Sequence, residues 1–249
     1  MTVSFVVAAA VVVFAGVAYG LAGFGFVMVS VPPLLLLYPA QTAVTTGILL
    51  SMLTGWMILP EAWRETQIGT VLALLPGALL GIGLGVALLR ILDAGAVRLL
   101  TSLVVTVFAA TMIRGWTPRG MGSRIAPGIA GTLSGALGAM TGMNGPPVVL
   151  LFVARGYEVH AFRASLVTYF LLINVVAISA RVWVGETGWV DIQTALLLLP
   201  AAIVGTTMGR RLVRHVPLAA FRRFVLLMVL VAGLVGVITA ARPLLGIAG

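Results

Sequence analysis

Residues Thr141 to Val149 read "TGMNGPPVV", two glycines, an asparagine and a Pro-Pro pair set into an otherwise apolar run. A similar interruption occurs earlier, in "GFGFVMVSVPPL" from Gly23 to Leu34. Both put helix breakers where the flanking sequence is apolar enough to sit in lipid. Backbone at membrane depth must be hydrogen-bonded within the protein unless it lines an interior cavity. The two breaks are therefore expected to face a shared, partly wet interior. Glycine supplies the left-handed or extended backbone of a break. Proline suits the first turn of the helix that follows, where no backbone N–H is needed. The short apolar pieces after the breaks, 26–37 and 146–154, are about half the length that crosses a ~30 Å hydrocarbon core. Each is expected to begin near the midplane with free N–H groups and a partial positive charge.

The composition sets the class. Of 249 residues, 61% are hydrophobic and only 8% charged, against about 25% charged in a soluble domain. Apolar runs of spanning length recur along the chain, and they do not alternate as barrel strands do. The fold expected is an all-α, polytopic helical membrane protein. Full-length helices are predicted near 3–22, 41–59, 69–89, 96–113, 125–141, 162–182, 191–209 and 219–240. The N-terminal run "MTVSFVVAAAVVVF" lacks a basic leader and a small-residue cleavage site, and reads as a retained first membrane helix. Tryptophans 56, 63, 116, 183 and 189 fall at or near predicted helix ends, where interfacial belts place them.

The net charge of +9 comes from fifteen basic residues, all arginine. They lie in the gaps between apolar runs, a pattern of membrane orientation rather than a nucleic-acid footprint. The absence of cysteine excludes disulfides, thiolate metal sites and cysteine nucleophiles.

The chain is written twice. Adding 124 to Pro76, Gly81, Gly85, Arg90 and Arg98 gives Pro200, Gly205, Gly209, Arg214 and Arg222. Gly16, Gly20 and Gly23 pair with Gly131, Gly135 and Gly138 at an offset of 115, and Pro32-Pro33 with Pro146-Pro147 at 114. This gives a first transmembrane repeat over 1–114, a linker over 115–124 and a second repeat over 125–249. If each half crosses four times, the arginines divide nine to six; if each first helix and its short piece form a re-entrant hairpin, they divide eleven to four. The positive-inside bias favours the second division. Three crossings per half make the halves inverted repeats.

Two helix N-termini facing one another across a pseudo-two-fold axis make an anion site without a full charge. Backbone N–H groups near Gly25 and over Gly142 to Gly145 are the expected donors, with Ser30, Thr141 and Asn144 adding hydrogen bonds. Arg163, just after the second break, either assists the anion or orients the chain. Glycines four apart, such as Gly16/Gly20, Gly77/Gly81/Gly85, Gly131/Gly135 and Gly205/Gly209, read as helix-packing positions. Thr45, Thr46 and Asn174 either line the cavity or join helices, and Arg181 reads as an interface anchor.

The six acids all fall at loops or helix ends, which argues against a cation pump or a carboxylate proton relay. Enzyme motifs are absent, as is any soluble segment long enough for a nucleotide-binding domain. No cofactor or metal is called for. The expected partners are a small anion and the bilayer, with a homo-oligomer left open.

The motifs "GLAGFGF" with "PPLLL", and "GALGAMTGMNGPPVVLLF", resemble the sulfite exporter TauE/SafE-type permeases. The resemblance covers nearly the whole chain. Gly138, Gly142, Gly145 and Pro146 match the family's glycine-rich second copy, with Asn144 where glycine is common. Phe26 and Val27 depart from the first copy, which implies that the second half carries more of the binding. The resemblance implies an inner-membrane secondary transporter, without ATP, for sulfite, sulfoacetate, thiosulfate or a similar small anion. Alternating access would come from one repeat moving against the other. A passive anion channel, or a membrane-embedded accessory subunit or enzyme, is the competing reading.

Overall fold

The computed structural model describes residues 2–34, 36–89, 103, 106–107, 110, 113–114, 120–141, 144–183, 187–213 and 215–241. The helix expected over 96–113 lies largely outside these residues, as do the first half of the linker, 115–119, and Gly142. The described helices are α1 (Thr2–Ala22), α2 (Phe26–Leu34), α3 (Ala40–Ala62), α4 (Ile68–Leu89), α5 (Ala126–Thr141), α6 (Gly145–Ala154), α7 (Val159–Trp183), α8 (Trp189–Val213) and α9 (Leu218–Ala241). A 3₁₀ turn, Trp63–Glu65, follows α3, and the described residues contain no strand. Within them the all-α reading holds, and α1, α3, α4, α7 and α8 are each long and apolar enough to cross a membrane. Their outer faces carry exposed leucine, isoleucine and valine, as at Leu80 and Leu197, the surface a lipid solvent requires. Trp63, Trp183 and Trp189 are exposed at helix ends, as interfacial tryptophans are.

The described residues form two compact units, Met1–Ile68 with Val159–Val216, and Gly69–Glu158 with Pro217–Gly249. Each unit therefore takes helices from both sequence halves.

The glycine stripes explain how. In the first unit α1 packs on α8 so closely that a Cβ on Gly16 would lie 2.9 Å from the Ala202 carbonyl oxygen. Gly20 meets the Thr206 carbonyl more closely still, while Gly205 and Gly209 press on the carbonyls of Val13 and Val17. In the second unit α4 packs on α5 in the same manner. Gly77 and Gly81 meet the carbonyls of Gly128 and Thr132, and Gly131 and Gly135 those of Leu74 and Ala78. The glycines that the offsets of 115 and 124 bring into correspondence thus each meet a backbone carbonyl of the facing helix, with the two pairs one turn apart in register. Small side chains let backbones approach this closely, and dispersion and Cα–H···O contacts then replace the hydrophobic drive that lipid does not supply.

The Pro-Pro pairs do not occupy equivalent places. In α6, Pro146 and Pro147 fall in the first turn, where proline's missing N–H has no consequence. In α2, Pro32 and Pro33 fall in the last turn of a nine-residue helix. Proline's fitness for a first turn therefore applies to the second pair only; the piece read as 26–37 does begin at residue 26, and its helix ends at Leu34. Two positive-φ glycines, Gly23 at 78° and Gly25 at 92°, set the α1–α2 break, and α2 starts directly after them.

Candidate functional site

Gly23 closes α1 in the left-handed conformation usual at a helix C-terminus, its N–H donating to the Tyr19 carbonyl at 2.7 Å. Gly25 opens α2, and the first bond of that helix runs from the Val29 N–H to the Gly25 carbonyl at 2.9 Å. The N–H groups of Phe26, Val27 and Met28 thus precede the helical ladder, so α2 presents three backbone donors and the positive end of its dipole. Ser30 lies one turn further on, wholly buried, its hydroxyl without a hydrogen-bond partner among the described residues.

Arg163 belongs to this break. It stands in the first turns of α7, 5% exposed, and its Nη2 donates to the Gly20 carbonyl in the last turn of α1. A Cβ on Gly23 would lie 2.9 Å from the Arg163 Cα, so backbone meets backbone here. This burial is unlike that of a solvated orienting charge. The guanidinium satisfies a carbonyl orphaned by the end of α1 and sets a fixed positive charge beside the break.

The second break lies in the other unit and is built from neutral groups. Thr141 is the last residue of α5, and Asn144 is the N-cap of α6 at φ −81°, ψ −14°. The Asn144 side chain makes no capping hydrogen bond; its carbonyl accepts from the Ser134 hydroxyl of α5. A Cβ on Gly138 would lie 2.9 Å from the Asn144 Cβ, which accounts for glycine at 138. Gly145 is buried as the first helical residue. Because Pro146 and Pro147 have no N–H, the first turn of α6 offers one backbone donor, Gly145, where α2 offers three. Gly142, a further donor expected at this break, lies outside the described residues.

A polar seam joins α3 to α7 in the first unit. Arg181 Nε donates to Thr45 Oγ1 at 3.3 Å, and Asn174 Nδ2 to Ser51 Oγ at 3.2 Å. Beyond α3, the Gln67 N–H donates to Ser165 Oγ at 2.9 Å. Asn174, Thr45 and Arg181 therefore join helices. Thr46 has a buried hydroxyl with no hydrogen-bond partner among the described residues.

One residue that sequence reasoning treated only as a topological charge has a defined structural place. Arg155, just past α6, donates from Nε to the Met121 carbonyl, from Nη1 to Thr70 Oγ1 and from Nη2 to the Ser123 carbonyl, at 3.0–3.1 Å. Gly156 follows at φ 70° and turns the chain. An arginine and a glycine directly after an apolar helix are a C-terminal signature. That signal was available in "VARG".

Among the described residues no group of histidines, aspartates and glutamates is arranged to hold a metal. Asp191, the one acid buried there, sits in the first turn of α8 and accepts the Gly188 N–H at 2.8 Å. That is a capping contact.

A family model described as "Sulfite exporter TauE/SafE" matches residues 8–236. The chain is 24% identical over 193 residues to the "Probable sulfite/organosulfonate exporter TauE" of Cupriavidus necator, covering 76% of this chain and 75% of that protein. It is 28% identical over 184 residues to the "Probable inner membrane transporter protein TsaS" of Comamonas testosteroni, covering 69% and 73%. No solved structure matches the chain.

Proposed function

Because the chain belongs to the sulfite exporter TauE/SafE family, a family of transporters and not of enzymes, we propose that it is a secondary transporter of the cytoplasmic membrane that carries a small sulfur-containing anion. Sulfite, organosulfonates and thiosulfate are the substrate class. The names of the two relatives support this reading, one for sulfite and organosulfonate export and one for an inner-membrane location.

The observation that carries the binding mode is the start of α2. Three backbone N–H groups, a buried hydroxyl at Ser30 and the charge of Arg163 lie in one unit, and the sequence from Gly25 to Pro60 contains no carboxylate. Such an arrangement attracts an oxyanion and repels a cation. Gly25 and Ser30 are the proposed anion contacts in that unit, with Arg163 supplying positive potential. Thr141, Gly142, Asn144 and Gly145 are the proposed contacts of the second broken helix. The halves 1–114 and 125–249 are proposed as inverted repeats, a reading supported by the like glycine contacts of α1 with α8 and α5 with α4.

The test is flux through the purified full-length chain in liposomes. Saturable sulfite uptake, accelerated by sulfite or sulfoacetate loaded inside, is the expected result. Unsaturable ionic conductance without counterflow identifies a channel, and no flux by the chain alone defeats the transporter reading.

A further inference from the structure

Helix hydroxyls in this protein commonly bond back to their own helix. Thr54 donates to the Leu50 carbonyl at 2.7 Å, Thr168 to Ala164 at 2.8 Å, Thr132 to Gly128 at 2.9 Å and Ser51 to Ile48 at 2.8 Å. This i−4 or i−3 bond is the local default for serine and threonine in helices. Ser30 and Thr46 do not follow it. Ser30 is wholly buried and Thr46 is 1% exposed, and neither hydroxyl has a partner among the described residues. A carbonyl one turn back is available to each, at Phe26 and Thr42, yet both side chains forgo it. A buried hydroxyl with no partner carries its full desolvation penalty, which marks a place where a ligand group or water belongs. Thr206 is also unpartnered, but its backbone sits against Gly16 and Gly20 in the α1–α8 crossing.

Ser30 and Thr46 occupy one level of the first unit. Ser30 Oγ lies 3.4 Å from the point a Cβ on Gly47 would occupy, so it stands against α3 at the residue that follows Thr46 in the chain. The neighbouring Thr45 holds the Arg181 guanidinium. The three N–H groups that open α2 lie one turn before Ser30.

Building on the transporter reading above, we propose that Ser30 and Thr46 form a two-hydroxyl subsite for a three-oxygen sulfur head group, with Thr46 selecting it over a carboxylate. A sulfite or sulfonate spreads three oxygens around one sulfur. Hydroxyls on two helices can each take one oxygen while the α2 N–H groups take the third. A planar carboxylate has two oxygens, and the α2 N–H groups with Ser30 satisfy both without Thr46.

Matched probes test this on the full-length protein in lipid nanodiscs: sulfite and methanesulfonate against acetate, by calorimetry. Thr46→Val is expected to weaken both sulfur anions about tenfold or more, the scale of one hydrogen bond to a charged group, and to leave acetate unchanged. Ser30→Ala is expected to weaken all three. Without ligand, the thermal midpoint of Thr46→Val should equal or exceed that of the wild type, because the change removes a hydroxyl that nothing holds. Thr54→Val, which loses a hydroxyl already bonded within its helix, should retain sulfite affinity. Wild-type affinities in both Thr46→Val and Ser30→Ala, or a lowered ligand-free midpoint in Thr46→Val, overturn the subsite alone. Failure of the wild type to bind either sulfur anion overturns the transporter reading and the subsite with it.

Discussion

The starts of α2 and α6 solve one problem with different chemistry. At the first, two left-handed glycines turn the chain, a buried arginine caps the helix that ends there, and three N–H groups are left to donate. At the second, a serine hydroxyl holds the Asn144 carbonyl, and two prolines remove the donors that would follow. Among the described residues, the start of α2 is charged and donor-rich, and the first turn of α6 is neutral and donor-poor. A helix N-terminus is therefore an anion-binding element only to the extent that its first residues retain their N–H groups. By that measure the two breaks are unequal, even though a Pro-Pro pair accompanies both.

The contrast is broken most severely at Gly23. Gly23→Val imposes a β-branched residue at φ 78° and drives a side chain into the Arg163 backbone. The left-handed step alone costs about 1–2 kcal/mol, and the overlap adds about 1–3 kcal/mol more. Little monodisperse protein is expected on size-exclusion chromatography in detergent. Arg163→Gln ranks next. It removes a charge-assisted bond to a buried carbonyl, worth about 1.5–3 kcal/mol, and should lower the thermal midpoint clearly while also weakening sulfite binding. Ser134→Ala removes a neutral bond worth about 1 kcal/mol and should lower the midpoint less, with sulfite binding retained. If Ser134→Ala proves as damaging as Arg163→Gln, the two breaks are equivalent and the distinction fails. The smallest effect is expected from Pro147→Ala, which restores an N–H to the first turn of α6 at a stability cost below about 1 kcal/mol.

Much of the helix layout was legible because a lipid-exposed segment must be apolar over its whole length. The positions of α1, α3, α4, α7 and α8 follow from that requirement, while α3 and α8 run on for three and four residues past the expected ends, through Glu61 and through Arg210 and Arg211. The glycine stripes were legible too, since residues four apart share a helix face and only backbone proximity explains glycine at each. The start of the first short piece was legible as well, since it was read from residue 26 and α2 begins at Phe26. Its end was not: proline is tolerated in the first turn of a helix and also close to its end, so "VPPL" did not mark Leu34 as the last helical residue. Arg163 illustrates a different obstacle. Its partner, Gly20, is 143 positions away, and no local period encodes that contact. Arg155 was hidden for a simpler reason: counting charges for orientation passes over what a guanidinium fork can hold. Ser30 stood out in the sequence as a polar residue in an apolar piece, whereas Thr46 was named together with Thr45, and only their bonding tells the two apart.

The crossing of α1 with α8 carries a consequence for biosynthesis. α1 ends at Ala22 and α8 begins at Trp189, so the first helix enters the bilayer long before its glycine-lined counterpart leaves the ribosome. At about 5–20 residues per second, the wait is on the order of ten seconds or more. During that interval the backbone groove of Gly16 and Gly20 lies open to lipid or to insertion factors. A chain cut after residue 114 should consequently be a substrate for quality-control proteases unless the remainder is co-expressed.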